Sequence, residues 1–327
     1  MRLTVSAPVQ SLQEIRQIEH TPLAQAMPWD STYTMIRETA LACADRPALT
    51  MLHTGQVGGP STTWTYRDLL QGIHQTANLL FNLGLRSTDV VAVLLPGGQA
   101  YHLALWGGEA AGIVQPLNPL LSDDKLASLL QASGAQVLIA HGVDDDSQMR
   151  SKALRLQSQC PALTTILLVN PDGGPLPADT ALPEGVQDFH AARAGQVNDR
   201  LISERVFQQH DIAAYFHTGG TTGAPKLARH SHGAQIFTAW ANAQMQGFQS
   251  TDVTINGYPL FHVAGVLPGA LCSLAVGMHI LIPTPSLFRN REVIANYWRL
   301  VAHHGCTLMS GVPTVLAALA AVPLAAA

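Results

Sequence analysis

The stretch Tyr215-Phe216-His217-Thr218-Gly219-Gly220-Thr221-Thr222-Gly223-Ala224-Pro225-Lys226 sets both the fold and the chemistry. The apolar run 212–216 predicts a buried strand. It gives way to a loop of three glycines and three threonines, closed by Pro225 and Lys226. Glycine has no Cβ, so such a backbone can fold closely around a ligand. Its successive N–H groups form a nest for an anion. The Thr218, Thr221 and Thr222 hydroxyls add donors, and Lys226 adds a flexible point charge. These are the groups that a polyphosphate requires.

The spacing is not that of a Walker loop, which needs Gly-Lys followed by Ser or Thr. Here Pro225 precedes the lysine and Leu227 follows it, and no Rossmann fingerprint is present either.

The strand pattern around the loop predicts an α/β chain. A helix is predicted over 31–43, strands over 48–53 and 62–65, and a helix over 66–83. That helix is capped by Thr65, carries Leu69, Leu70, Ile73, Ala77, Leu80 and Phe81 on one face, and ends at Gly84. Strand 90–95 is uniformly apolar, as a strand buried on both faces should be. Helix 100–111 and strand 112–116 follow. Ser122 is read as the cap of the next helix, Gly134 as its end, and strand 136–140 comes next. A helix over 146–158 leads to strand 164–169. Residues 171–200 are rich in Pro, Gly and Asp and are read as a surface connection. Beyond the loop the pattern predicts helix 232–247, strand 253–258, helix 266–276, strand 278–282, helix 291–303, strand 306–310 and a helix from 313. Alternating strands and helices predict largely parallel sheets. The expected division is a lead-in over 1–30, a first α/β lobe over 31–200 and a second lobe over 201–327.

Composition excludes some functions. The net charge of −4 gives no sign of nucleic-acid binding, and no basic run suggests an anionic membrane surface. Only 12% of residues are charged, about half the usual ~25%. No charge falls between Asp252 and Arg289 or after Arg299, but Pro and Gly interrupt both stretches, so neither is read as a transmembrane span. Cys43, Cys160, Cys272 and Cys306 form no Cys-x-x-Cys pair and are read as reduced, buried thiols, which fits a cytoplasmic location.

The loop resembles the signature of the adenylate-forming enzymes, which include acyl-CoA synthetases, firefly luciferase and peptide-synthetase adenylation domains. Their motif runs roughly Thr-Ser-Gly-Thr-Thr-Gly-x-Pro-Lys-Gly. Thr218, Gly220, Thr221, Thr222, Gly223, Pro225 and Lys226 match it, while Gly219 and Leu227 depart. The likeness extends over about residues 30–327. It includes Thr65-Tyr66-Arg67-Asp68-Leu69, Asp89 to Pro96, Gly107 to Gly112 with Asn118-Pro119, Ser231-His232, Pro259 to Gly265 and Ser310 to Val315. The segment 104–121 is similar to the bacterial fatty-acyl branch. Gly97 and Ala100 stand where the family usually has Asn and Glu, which predicts reduced local stability.

The resemblance implies the N-terminal domain of the acyl-CoA synthetase and luciferase-like fold, with stacked α/β lobes, truncated. It also implies ATP-dependent activation of a carboxylic acid, in the fatty-acid case to fatty acyl-CoA, with Mg²⁺ and coenzyme A taking part. Thr218, Gly219, Gly220, Thr221, Thr222, Gly223 and Lys226 would bind the nucleotide, with Lys226 and Thr221 acting in catalysis. His262, Gly265 and Gly311 would line the acyl site. Members also carry a Mg²⁺-holding glutamate, a ribose-binding aspartate and a C-terminal domain with a catalytic lysine. Lys226 is the last lysine here, and only Asp252 and Glu292 are acidic beyond it. The C-terminal domain is therefore read as absent, no metal ligand is assigned, and the piece alone is expected to be inactive. Loading of a carrier protein and a non-catalytic nucleotide-binding module are the alternatives.

His232 is open between a brace for the loop and a structural histidine, and Trp106, Trp240 and Trp298 are read as core.

Overall fold

The computed structural model describes residue 3 and residues 9–144, 148–218 and 226–323. The chain runs through α1 (Leu12–Glu19), α2 (Leu23–Ala26), α3 (Thr32–Ala42), β1 (Pro47–Leu52), β2 (Ser61–Thr65), α4 (Tyr66–Asn82), β3 (Val90–Leu94) and α5 (Gln99–Ala111). It continues through β4 (Ile113–Pro116), α6 (Asp123–Ser133), β5 (Val137–His141), α7 (Met149–Gln159), β6 (Thr165–Val169), β7 (Val186–Asp188), α8 (Phe189–Ala194) and β8 (Ile212–His217). Then come β9 (Leu227–Ser231), α9 (His232–Gln246), β10 (Val253–Ile255), α10 (Val263–Val266), a π-helical turn Leu267–Leu271 and α11 (Cys272–Val276). β11 (His279–Pro283), a 3₁₀ turn Leu287–Arg289, α12 (Arg291–Ala295), α13 (Tyr297–His304) and α14 (Pro313–Ala320) complete it.

Two compact units form, and neither is continuous in sequence. One holds Met1–Leu70, Gly97–Gln99 and His232–Ala327, and the other holds Gln71–Pro96 and Ala100–Ser231. They cut the chain differently from the linear lobes 31–200 and 201–327. Strand pairing is the reason: β8 joins β4, and β1 joins β11. A Pro/Gly-rich stretch marks a connection in the chain, and a sheet can continue across it.

The second unit is a seven-stranded sheet of order β7-β6-β5-β3-β4-β8-β9. Its pairings are parallel except β8 with β9. β3, β4 and β5 are buried along their whole length, as a sheet covered on both faces requires. Leu94, Leu126, Leu130, Leu138, Leu156 and Ile166 belong to the core cluster on one face. α4 buries more than its apolar stripe. His74 Nδ1 meets the Asn198 carbonyl at 2.8 Å, and Asn78 Nδ2 donates to the Val197 and Arg200 carbonyls. Residues 197–202 are therefore anchored by hydrogen bonds to α4.

The first unit holds a four-stranded sheet of order β10-β11-β1-β2, parallel except for β1 with β2. Leu52, Ile255, Leu281, Phe288, Tyr297 and Leu300 belong to a core cluster beside it.

Local readings fared unevenly. Thr65 does cap α4, accepting from Asp68 N at 3.2 Å while Asp68 Oδ2 accepts from Thr65 N at 2.8 Å. Gly84 and Gly134 end their helices at positive φ. Ser122 stands at the start of α6, but its side chain makes no cap bond. The connection 171–200 contains β7 and α8, because a three-residue strand is too short to show a period. β10 stops at Ile255, three residues short of the expected end. The expected strand 306–310 makes one bridge, Leu308 to Thr254. The expected helix 291–303 breaks at Asn296, which caps α12.

Gly97 also corrects an expectation. Its N–H donates to the Pro285 carbonyl at 3.0 Å, and a Cβ there would lie 2.7 Å from Leu287 Cδ2. A larger residue would have to displace Leu287, so glycine suits the position rather than weakening it.

Candidate functional site

In the second unit the phosphate-loop candidate grows out of a hairpin. β8 runs parallel to β4 and antiparallel to β9, with Phe216 opposite Ala228 and His217 opposite Leu227. Thr218 N donates to the Lys226 carbonyl at 2.9 Å, so the two described ends of the loop are clamped together. Both residues are exposed. The loop leaves at the carboxyl end of a parallel strand, where ligands of open α/β sheets bind. Gly219, Gly220, Thr221, Thr222 and Gly223 lie outside the described residues.

Side chains alternate along β9, which places Ala228 and His230 on one face. His230 meets Phe216 edge-on with ring centroids 4.9 Å apart, and burial holds its pKa below the usual value. Leu227 packs against the core cluster on the other face, which is what a leucine does where the family motif has glycine. His232 begins α9 fully buried, and its Nδ1 lies 3.1 Å from Thr32 Oγ1 at the start of α3. That is a structural partner and favours the structural reading of this histidine.

In the first unit the acyl-site candidates follow β10. His262 is exposed and caps α10, its Nδ1 accepting from Ala264 N at 3.1 Å. A neutral His262 ring therefore carries its proton on Nε2. Gly265 is buried, and a Cβ on it would lie 2.4 Å from the Pro259 carbonyl oxygen, so the bend requires glycine. Gly311 is half-buried ahead of α14, where a Cβ would touch Leu316 Cδ2 at 3.1 Å.

Three features of this region were not read from the sequence. Asn256 is 4% exposed, and its Nδ2 donates to the Gly265 carbonyl. Gly257 lies against the Phe288 ring, where a Cβ would fall 2.2 Å from Cδ2. Thr284 and Leu287 hold positive φ of 65° and 54°, a region that non-glycine residues rarely enter, β-branched Thr284 least of all. The Asn-Gly pair at 256–257 is a turn signal and could have exposed the first two.

The acidic groups beyond the loop are already engaged. Asp252 accepts from Gln249 N at 2.6 Å and from Thr307 Oγ1 at 2.8 Å. Glu292 accepts from Gln56 Nε2 at 2.9 Å. Among the described residues no group of three His, Cys, Asp or Glu is arranged to hold a metal, and no helix is long and apolar enough to cross a membrane. Cys160, Cys272 and Cys306 are free thiols, and Cys43, Cys160 and Cys272 are buried. Burial pushes the Cys272 thiol up to about 12 and Cys306 up to about 11.

Thr218 and Lys226 thus flank a loop at the carboxyl end of a parallel strand, the place where open α/β sheets bind ligands. The chain belongs to the AMP-binding enzyme family, which it matches over residues 36–327. It is 28% identical over 322 residues to the marinolic acid–CoA ligase of Pseudoalteromonas sp. (strain SANK 73390), covering 97% of this chain and 48% of that protein. It is 26% identical over 268 residues to the 4-hydroxybenzoate–CoA/benzoate–CoA ligase of Rhodopseudomonas palustris, covering 81% of this chain and 45% of that one. Among solved structures, the anthranilate CoA ligase AuaEII in complex with anthranoyl-AMP superposes with a TM-score of 0.75 at 20% identity, over 90% of this chain and 53% of that chain. The inhibitor-bound N-terminal domain of FACL13 from Mycobacterium tuberculosis gives 0.72 at 20% identity, over 90% and 66%. The fold is that of acyl-CoA synthetase N-terminal domains, and the chain spans about half the length of the curated relatives it matches.

Proposed function

We propose that the protein activates a carboxylic acid with ATP and passes the acyl group to coenzyme A. A carboxylate oxygen attacks the α-phosphorus, the bond to the bridging oxygen breaks, and pyrophosphate leaves. The CoA sulfur then attacks the acyl carbon, AMP leaves, and the thiol proton goes to solvent. The observation that carries this reading is the family match together with Thr218 and Lys226 clamped across the base of the loop.

Thr218, Gly219, Gly220, Thr221, Thr222, Gly223 and Lys226 are assigned to the β- and γ-phosphates. Their work is positioning and charge stabilisation as pyrophosphate departs. His262, Gly265 and Gly311 are assigned to the acyl site. Mg²⁺ would neutralise phosphate charge, but Asp252 and Glu292 do not fit as its ligands, because both are engaged locally. For the same reason the 327 residues alone are proposed to bind nucleotide weakly at most. The free thiols support a cytoplasmic location.

The acid is proposed to be a fatty acid. Between Asp252 and Arg289 the chain has no charge, so this part of the acyl site offers an aliphatic tail no ionic partner. Similarity to the benzoate–CoA ligase favours an aryl acid as the second reading.

The test is pyrophosphate exchange into ATP by the complete protein, with decanoate or benzoate. Exchange with decanoate supports the fatty-acid reading, and exchange with benzoate alone selects the aryl one. Lys226→Ala is expected to lower the rate about 100-fold, as loss of one charge-stabilising donor does, with the melting temperature unchanged. An unchanged rate removes the role assigned to Lys226. Exchange by the 327-residue chain alone would contradict the weak-binding reading of that piece.

A further inference from the structure

We propose that Asn256 is a positioning residue whose side-chain amide sets the bend that fixes the His262 imidazole. Asn256 leaves the carboxyl end of β10 and turns its amide into the helical run 263–276. Nδ2 donates to the Gly265 carbonyl at 3.1 Å, and Oδ1 accepts from Tyr258 N at 3.2 Å. These two partners, one acceptor and one donor, also fix which way the amide points.

The amide occupies the space that Gly269 leaves, while the Pro259 carbonyl occupies the space beside Gly265. A Cβ on Gly269 would fall 2.6 Å from Asn256 Oδ1 and 2.8 Å from Nδ2. Gly265 and Gly269 are four residues apart and share a helix face. The helix widens into the π-helical turn Leu267–Leu271, which contains Gly269. A side chain inserted at a helix ladder is a recognised cause of such local distortion, and π turns recur at functional sites.

The bend closes through a chain of short bonds. His262 N donates to the Pro259 carbonyl at 3.1 Å, Gly265 N donates to the His262 carbonyl at 2.9 Å, and Ala264 N donates to His262 Nδ1 at 3.1 Å. Asn256 grips this bend at both ends, at Tyr258 and at Gly265. The imidazole is thus held with Nδ1 inward as acceptor and Nε2–H outward as donor. The functional consequence, a fixed N–H facing an incoming acid, rests on the acyl-site reading of His262; the positioning itself does not.

The test uses the 327-residue chain, labelled with ¹⁵N and observed by NMR. Wild type is expected to show a through-hydrogen-bond coupling between the Ala264 amide nitrogen and His262 Nδ1. Asn256→Leu, which keeps the branched shape and removes both bonds, is expected to lose it. Gly269→Ala approaches the same amide from the helix side and is expected to lose it too. Alanine favours helix, so this variant carries the test if Asn256→Leu does not fold. Thermal melts separate loss of the coupling from loss of the fold. A coupling retained in folded Gly269→Ala, or absent from wild type, overturns the proposal. The acyl-site reading fails by a different result: an unchanged KM for the acid in His262→Ala of the complete enzyme.

Discussion

The two units reach a similar end by different routes. The seven-stranded sheet is built mostly from strands that follow one another in sequence, with helices between them. The four-stranded sheet pairs β1 with β11, from opposite ends of the chain. In the first case regular burial carries the design, and Val91, Leu138 and Leu167 are wholly buried. In the second, backbone exceptions cluster at the carboxyl edge: Gly257 against Phe288, positive φ at Thr284 and Leu287, and a π-helical turn. Regular packing makes a platform. The irregular edge shapes the surface where the acyl-site candidates lie.

The largest effect should come from the regular sheet. Leu138→Ala removes a fully buried side chain from the core cluster and is expected to cost about 3 kcal/mol in urea denaturation. A loss below ~1 kcal/mol, less than any such cavity should cost, would break the contrast. Gly257→Ala probes the irregular edge by forcing a Cβ into the Phe288 ring. Overpacking of this kind costs about 2 kcal/mol, and the same denaturation should show it.

Each unit also holds a histidine kept neutral by burial. His102 is driven down to about 3 by desolvation. His279 falls to about 4 through burial first and then the nearby His304 and Arg46, with Thr50 Oγ1 2.7 Å from its Nε2. A base whose folded pKa is depressed favours folding above the unfolded pKa of about 6.5. Wild-type stability should therefore fall as pH drops from about 6.5 towards 4, and His279→Gln should flatten part of that slope in melts at successive pH values. An unchanged slope would mean that His279 contributes no proton linkage.

The smallest effect has the opposite sign. Thr284 is held at positive φ, and its buried Oγ1 has no hydrogen-bond partner. Thr284→Gly relieves both and should raise stability by about 1 kcal/mol. A destabilised variant would show that this turn stores no relievable strain.

Legibility followed the same division. α4, β3, α5, α6 and β5 were readable because burial on a helix or a parallel strand imprints a continuous or 3.6-residue apolar pattern. β9 went unread, because Leu-Ala-Arg-His-Ser shows no apolar alternation and its pairing partner is β8. Asn256 was absorbed into a predicted strand. Its importance comes from Gly265 and Gly269, nine and thirteen positions away in the chain.

The sequence by itself determined the α/β class, the phosphate-loop candidate and the family resemblance that its motifs carry, since all three lie in local order along the chain. Only the tertiary structure decided which strands share a sheet, that Thr218 and Lys226 close the loop's base, and that His262 presents Nε2. Hydrogen-bond partners distant in the chain leave no period in the sequence; they are fixed when the backbone groups of separate segments must be satisfied together.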